Sequence, residues 1–245
     1  MKHIRLGDIL IQRGIAADKS AAFIIVTEGY VFVNGQKAVS PAQFVSDDAE
    51  IDVRRSREYV GRGAYKLKAA LDAFDTINIE DRVCADIGAA TGGFTEVLLK
   101  HGAKKVYAID TARGKLAPKL RYDTRVIVME KMDARDLAML PDRIDLAVID
   151  VSLVSLRNIL PALARFLTGN GSIIALFKPQ YETRDPAKLY HGVIRDVEDS
   201  RQLLNDFIVW AGGNGWNVMN WIESPIKGLK GNTEYLLHMN FTIKK

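Results

Sequence analysis

Asp86-Ile87-Gly88-Ala89-Ala90-Thr91-Gly92-Gly93-Phe94 decides how this chain is read. Val83-Cys84-Ala85 stands ahead of it, and together with Asp86 and Ile87 makes a short apolar run of the buried-strand type. Thr95 to Lys100 behind it belongs to a helix. A strand that breaks at a glycine-rich loop and re-enters as a helix is the opening half of a strand–helix–strand unit. Glycine permits both the sharp turn and a close approach of backbone to a ligand. The spacing is Gly-x-x-x-Gly-Gly behind an acid. A dinucleotide pyrophosphate cradle would read Gly-x-Gly-x-x-Gly, so a nicotinamide-linked oxidoreductase is disfavoured.

Outward from the loop the pattern repeats. Lys105–Asp110, Arg125–Met129, Ile144–Asp150 and Gly171–Lys178 read as further strands. Two late strands follow near Trp216–Glu223 and Glu234–Ile243, after a helix around Ser200–Ala211. Residues 61–245 are therefore expected to form a Rossmann-like α/β domain, a seven-stranded, mostly parallel sheet with helices on both faces. Ligands of such sheets bind outside the carboxyl ends of the strands. Asp110 ends the second strand, near the offset of about 20 residues at which an acid meets a ribose diol. Asp150 and Lys178 end the fourth and fifth strands and face the same opening, while Lys66 precedes the sheet and Glu234 opens its last strand. Two cations and two anions there can neutralise one another, although each alone could equally be a structural ion pair.

The first sixty residues read as a separate compact unit. Leu6, Ile9 and Leu10 have helical spacing before Gly14, and Asp18 or Ser20 can cap a second helix through Ile25. Val31-Phe32-Val33-Asn34-Gly35-Gln36-Lys37 is a strand, an Asn-Gly turn and a return strand, and Ile51-Asp52-Val53 ends a last short strand. The chain carries a net charge of +4, and most of that excess lies before residue 69, with Arg54-Arg55-Ser56-Arg57 its densest basic cluster, in a linker near residue 60. Mild basicity permits a nucleic-acid partner without requiring one.

Composition narrows the class. Of 245 residues, 48% are apolar and 26% charged, which is globular. No apolar run approaches the ~18 residues of a membrane span, and the N-terminus lacks the apolar stretch of a secretory signal, so neither membrane nor export is expected. Cys84, the one cysteine, fits a reducing cytoplasmic compartment and reads as a small buried side chain rather than a nucleophile. The four histidines are scattered without metal-ligand spacing, so no metal is expected. Trp210, Trp216 and Trp221 are expected in the core, and Tyr65 and Tyr181 could stack on a flipped base or simply pack their loops.

Three resemblances bear on these residues. The loop resembles motif I of S-adenosylmethionine-dependent methyltransferases. This implies S-adenosyl-L-methionine as cofactor, held by Asp86, Gly88, Ala89, Gly92, Gly93 and Phe94, with Asp110 on the ribose and Asp133 at the adenine. The N-terminal pattern, from Arg5-Leu6 through Arg13-Gly14 and Lys19-Ser20 to Val33-Asn34-Gly35, resembles the small α+β RNA-binding domain of ribosomal protein S-four. That implies RNA contacts by Arg5, Arg13, Lys19 and Lys37 within residues 1–60. It departs from the family at Gly7, ahead of Asp8, and at Lys19-Ser20, where Ser-Arg is usual. Lys66, Asp150, Lys178 and Glu234 resemble the catalytic tetrad of FtsJ-like ribose 2′-O-methyltransferases.

With Arg62-Gly63-Ala64-Tyr65-Lys66-Leu67, Asp150-Val151-Ser152, Lys178-Pro179-Gln180-Tyr181-Glu182, His191-Gly192-Val193-Ile194-Arg195-Asp196 and Gly228-Leu229-Lys230-Gly231-Asn232-Thr233-Glu234, the whole chain resembles the TlyA family of rRNA methyltransferases, which also carry the name haemolysin. The resemblance implies methyl transfer to a ribose 2′-hydroxyl of cytidine in ribosomal RNA or ribosomal subunits, with Arg62 at the RNA. Lys178 would then contact the hydroxyl as base or electrostatic stabiliser. The competing readings are a non-catalytic RNA-binding protein and a cytolysin; the lysines in the crevice speak against the first, and the lack of a suitable amphipathic or apolar segment against the second.

Overall fold

The computed structural model describes residues 3–27, 29–53, 58–137 and 139–241. The cluster Arg54-Arg55-Ser56-Arg57 and the end of the expected last strand lie outside them. The chain divides into two units, residues 1–58 and 59–245.

The elements of the larger unit, numbered along the chain, are α1 (Gly63–Ala73), β1 (Val83–Ile87), α2 (Gly93–Lys100), β2 (Lys105–Asp110), α3 (Pro118–Arg121), β3 (Val126–Glu130), β4 (Ile144–Ile149), α4 (Leu156–Leu163), β5 (Leu167–Phe177), α5 (Pro179–Glu182), α6 (Val197–Gly213), β6 (Trp216–Glu223) and β7 (Tyr235–Phe241). They form one seven-stranded sheet in the order β6-β7-β5-β4-β1-β2-β3. Strands β1 to β5 pair in parallel, and β7 runs antiparallel to both β5 and β6. This is the expected Rossmann-like fold.

Residue alternation along the central strands builds two cores. Ala85, Ile87, Ile109, Ala147, Ile149, Ile173 and Ala175 pack on Leu156, Ile159 and Leu160 of α4 and Leu203, Leu204 and Phe207 of α6. Their neighbours Cys84, Val106, Ala108, Leu146, Val148, Ile174 and Leu176 pack on the opposite face, against Leu67 and Ala70 of α1 and Phe94, Val97 and Leu98 of α2. Period-two side chains that are apolar on both faces can only be buried by a layer on each side, hence three layers. Trp216 lies in the core, but Trp221 does not: it is 42% exposed on edge strand β6, with its ring edge-on to Tyr235. An edge strand offers one covered face, and Trp221 stands where coverage ends.

The smaller unit holds helices Leu6–Gln12 and Lys19–Thr27, a three-stranded antiparallel sheet in which Val31–Val33 pairs with Gln36–Lys37 and Ile51–Val53, and a two-stranded sheet of His3–Arg5 with Phe44–Ser46. Leu6, Ile9, Leu10, Ala22, Val26, Val31 and Val45 form its core. Asp18 caps the second helix, its Oδ1 accepting the Ala21 N–H at 2.8 Å. Asn34 and Gly35 both have positive φ, as a two-residue type I′ hairpin requires.

Candidate active site

Strands β4 and β5 run parallel, so Asp150 and Lys178, the residues just past their ends, emerge side by side. Glu234 joins them because β7 runs the other way: Tyr235 pairs with Phe177, so the start of β7 lies at the carboxyl edge of the sheet. Lys66 comes from α1. The four residues form two ion pairs, Lys66 Nζ to Glu234 Oε2 at 2.6 Å and Lys178 Nζ to Asp150 Oδ1 at 2.6 Å. Lys178 Nζ also donates to the Val151 carbonyl at 2.8 Å and to Ser152 Oγ at 3.1 Å. Lys178 and Glu234 are buried, and a buried charge persists only where a partner offsets its lost hydration.

All four line one cavity of about 570 Å³, along with Arg62, Tyr181, Leu229 and Lys230. Tyr65 is not part of this wall; its ring packs edge-on to Tyr59. The wall is tied together by residues to which the sequence assigns no individual role. Glu182 accepts from the Leu156 N–H and from Ser155 Oγ, both at 2.6 Å, which joins the Lys178 segment to the chain following Asp150. Burial pushes the Glu182 carboxyl above its ordinary pKa, against the pull of Ser155, Leu156 and Arg157. Asn232 accepts from the Ile194 N–H and donates to the Gly192 carbonyl, each at 2.9 Å. Glu96 accepts from the Val60 N–H at 2.7 Å, which holds the lead-in to α1 against α2.

A second cleft of about 500 Å³ opens along the ends of β1 to β4. It shares Gly88, Ala90, Asp150, Ser152 and Leu153 with the first cavity. Its walls are the apolar Ile87, Ile109, Met132 and Ile159 and the acids Asp110 and Asp133. Asp110 accepts the N–H of Ala90 at 2.8 Å and of Ala112 at 2.6 Å. Asp133 is bound by Arg135, whose guanidinium holds the carboxyl below the usual carboxylate range. Apolar slots beside acids suit an adenosyl group that carries a cationic sulfonium and an ammonium, so the residues present fit S-adenosylmethionine.

Of the residues expected at the cofactor, Gly88, Asp110 and Asp133 line this cleft, whereas Asp86, Ala89, Gly92, Gly93 and Phe94 line neither cavity. The latter shape the wall from behind. A Cβ on Gly93 would stand 3.0 Å from the Ala64 backbone nitrogen, so this glycine lets α2 meet α1. Phe94 is buried in the core beneath α1. Asp86 is fully buried, with Oδ2 bonded to Thr95 Oγ1 at 2.6 Å and Oδ1 without a hydrogen-bond partner among the described residues. Burial, reinforced by the charges of Asp150 and Asp110 and opposed by Thr95, pushes its pKa up to about 7. Ala90, at φ +48°, borders both cavities and donates to Asp110, yet nothing in its residue type announces a role.

In the smaller unit Arg5, Lys19 and Lys37 are exposed. Arg13 is also exposed, but its guanidinium bonds the carbonyls of Ala49 at 2.8 Å and Asp47 at 2.6 Å, so it braces its own unit.

The FtsJ-like methyltransferase family model matches residues 59–241. Hemolysin A of Brachyspira hyodysenteriae is 40% identical over 238 residues, which span 96% of this chain and 99% of that one. The 16S/23S rRNA (cytidine-2'-O)-methyltransferase TlyA of Mycobacterium tuberculosis is 39% identical over 96% of this chain and 89% of its own. A solved structure from Streptococcus thermophilus, provisionally named a hemolysin, superposes with a TM-score of 0.74 at 35% identity, covering 99% of this chain and 90% of that one. The sheet order, the paired charges at its carboxyl edge and these full-length likenesses place the chain in the FtsJ-like methyltransferase family, among the relatives of TlyA and hemolysin A.

Proposed function

We propose that the protein transfers a methyl group from S-adenosylmethionine to a ribose 2′-hydroxyl, that of a cytidine in ribosomal RNA. The observation that carries this reading is the junction of the two cavities at Asp150, with an acid-lined cleft on one side and the two lysine–carboxylate pairs on the other.

A ribose hydroxyl is a weak acid and a poor nucleophile, so the protein has to align it and deal with its proton. The cofactor supplies a methyl group already activated on a sulfonium sulfur. Lys178 Nζ meets the 2′-oxygen: as the neutral amine it takes the hydroxyl proton, and as the ammonium it screens the developing negative charge while solvent takes that proton. Asp150 aims Lys178 from one side, Glu234 holds Lys66 from the other, and Lys66 positions the ribose. Asp110 takes the cofactor's ribose diol and Asp133 the adenine edge, while Asp86 fixes the loop from behind. Arg62 stands exposed at the cavity mouth, where phosphate arrives. The smaller unit, an S-four-type RNA-binding domain in this reading, adds RNA contacts through Arg5, Lys19 and Lys37. Such an enzyme works in the cytoplasm, where its substrate is. The hemolysin name finds no support in the helices: among the described residues none is long and apolar enough to cross a membrane.

The test is tritium transfer from methyl-labelled S-adenosylmethionine to purified ribosomal subunits lacking the mark, followed by nuclease digestion. Label in 2′-O-methylcytidine is expected. Label in a base or in protein, or transfer to neither subunit, overturns the proposal.

A further inference from the structure

The acceptor cavity is deep, for Lys178 at its floor is 8% exposed. A nucleotide stacked within RNA cannot deliver its sugar to such a floor; it must turn out of its stack, leaving a gap that favours its return. Proteins that unstack bases commonly fill such gaps with an apolar side chain.

The turn Lys227-Gly228-Leu229-Lys230-Gly231 stands at the cavity mouth. Leu229 is 96% exposed and buries almost nothing in the free protein. The turn is nevertheless well fixed. The Gly228 N–H donates to the Asn232 carbonyl at 2.9 Å, and the Gly231 N–H to that of Gly228 at 2.8 Å. Gly228 packs so closely on Glu234 that a Cβ would sit 2.6 Å from Oε1. The place of Leu229 is thus set relative to the tetrad. A single exposed leucine means little by itself. This one lies between Lys227 and Lys230, both exposed, both at the cavity and neither ion-paired among the described residues. Leu153 is exposed as well, but it borders both cavities and so faces the cofactor side; Leu229 borders the acceptor cavity alone.

We propose that Leu229 is a wedge that enters the stack vacated by the target nucleotide, while Lys227 and Lys230 hold the flanking phosphates. The proposal rests on RNA ribose being the acceptor. In single-turnover tritium transfer to ribosomal subunits, Leu229→Ala is expected to slow transfer at least about tenfold at saturating enzyme, with subunit affinity within about twofold of wild type. Leu229→Met, still long and apolar, is expected to keep most of the rate. Replacing Lys227 and Lys230 together by Ala should weaken binding and flatten the salt dependence of log affinity by about 1.4 to 1.8, at roughly 0.7 to 0.9 for each phosphate no longer neutralised. Unchanged melting temperature and cofactor affinity confirm that the variants are folded. A wild-type rate in Leu229→Ala, or a loss confined to affinity, overturns the wedge alone. Absence of transfer by the wild type breaks the functional reading itself, and the wedge with it.

Discussion

The two cavities meet at Asp150 and are built by opposite means. The donor cleft consists of the loops that follow parallel strands β1 to β4, one after another along the chain. Any repeated strand–helix unit leaves such a crevice. The acceptor cavity joins the end of parallel strand β5 to two pieces that the repeat does not supply, the start of α1 and the loop ahead of β7. Only because β7 runs backwards does Glu234 arrive beside Lys178. The electrostatics differ in the same sense. Both acceptor-side carboxylates are matched to lysines, whereas of Asp110 and Asp133 in the donor cleft only Asp133 has a cation among the described residues, Arg135, and Asp110 accepts from backbone N–H groups. The fold supplies a cofactor crevice, and the strand reversal adds the chemistry.

The division predicts a double dissociation. Lys178→Ala should lower methyl transfer by about 10²–10⁴-fold, the usual worth of a positioned proton-transfer or charge-stabilising group, and leave cofactor affinity within about twofold. Asp110→Ala should weaken cofactor binding by roughly 10–100-fold, as expected when a charge-assisted hydrogen bond is removed, and leave RNA affinity alone. Calorimetry for the cofactor and filter binding for RNA separate the two. If Lys178→Ala loses cofactor affinity as severely as Asp110→Ala, the cavities are not independent.

A smaller effect tests the loop before β7. Gly228→Ala places a methyl group 2.6 Å from Glu234 Oε1, which must shift and take the Lys66 pair with it. A displaced group near the chemistry costs up to about 10²-fold, so kcat should fall by ten- to a hundredfold while the cofactor's Kd holds. An unchanged kcat would remove the Lys66–Glu234 pair from the reaction.

How far the residues themselves told this story also follows the division. Asp110, Asp150 and Lys178 were legible because a strand end is legible: an apolar run stops at a charge, and parallel topology puts every such stop on one edge. The role of Gly93 was not, since a glycine that turns the chain toward a ligand and one that lets two helices touch look identical in a sequence; here it is the second. Ala90 borders both cavities with nothing in its residue type to mark it, and Phe44–Ser46 lacks the Asn-Gly turn that marks the equally short Val31–Val33. Glu182 and Asn232 act by hydrogen bonds across 26 to 40 positions of chain, and no local pattern encodes those partners.

The finest contrast concerns Asp86, the acid behind the glycine loop. It shares the carboxyl edge with Asp150, yet among the described residues no cation pairs with it, and burial lifts its pKa from 3.8 to about 7. Where a folded-state pKa exceeds the unfolded one, the native protein holds a proton that the unfolded chain has already released. The associated stability is fully present below about pH 4 and is lost as pH rises through about 7. Asp86→Asn keeps the shape and an oxygen to accept from Thr95, but it cannot ionise. The wild type should therefore lose stability relative to Asp86→Asn between about pH 5 and pH 8, as urea midpoints at the two pH values would show. A difference independent of pH would mean that Asp86 is already ionised at the lower value. The buried wall of the donor cleft would then carry a full negative charge in place of a neutral acid, and the cleft would attract the sulfonium from behind as well as from its rim.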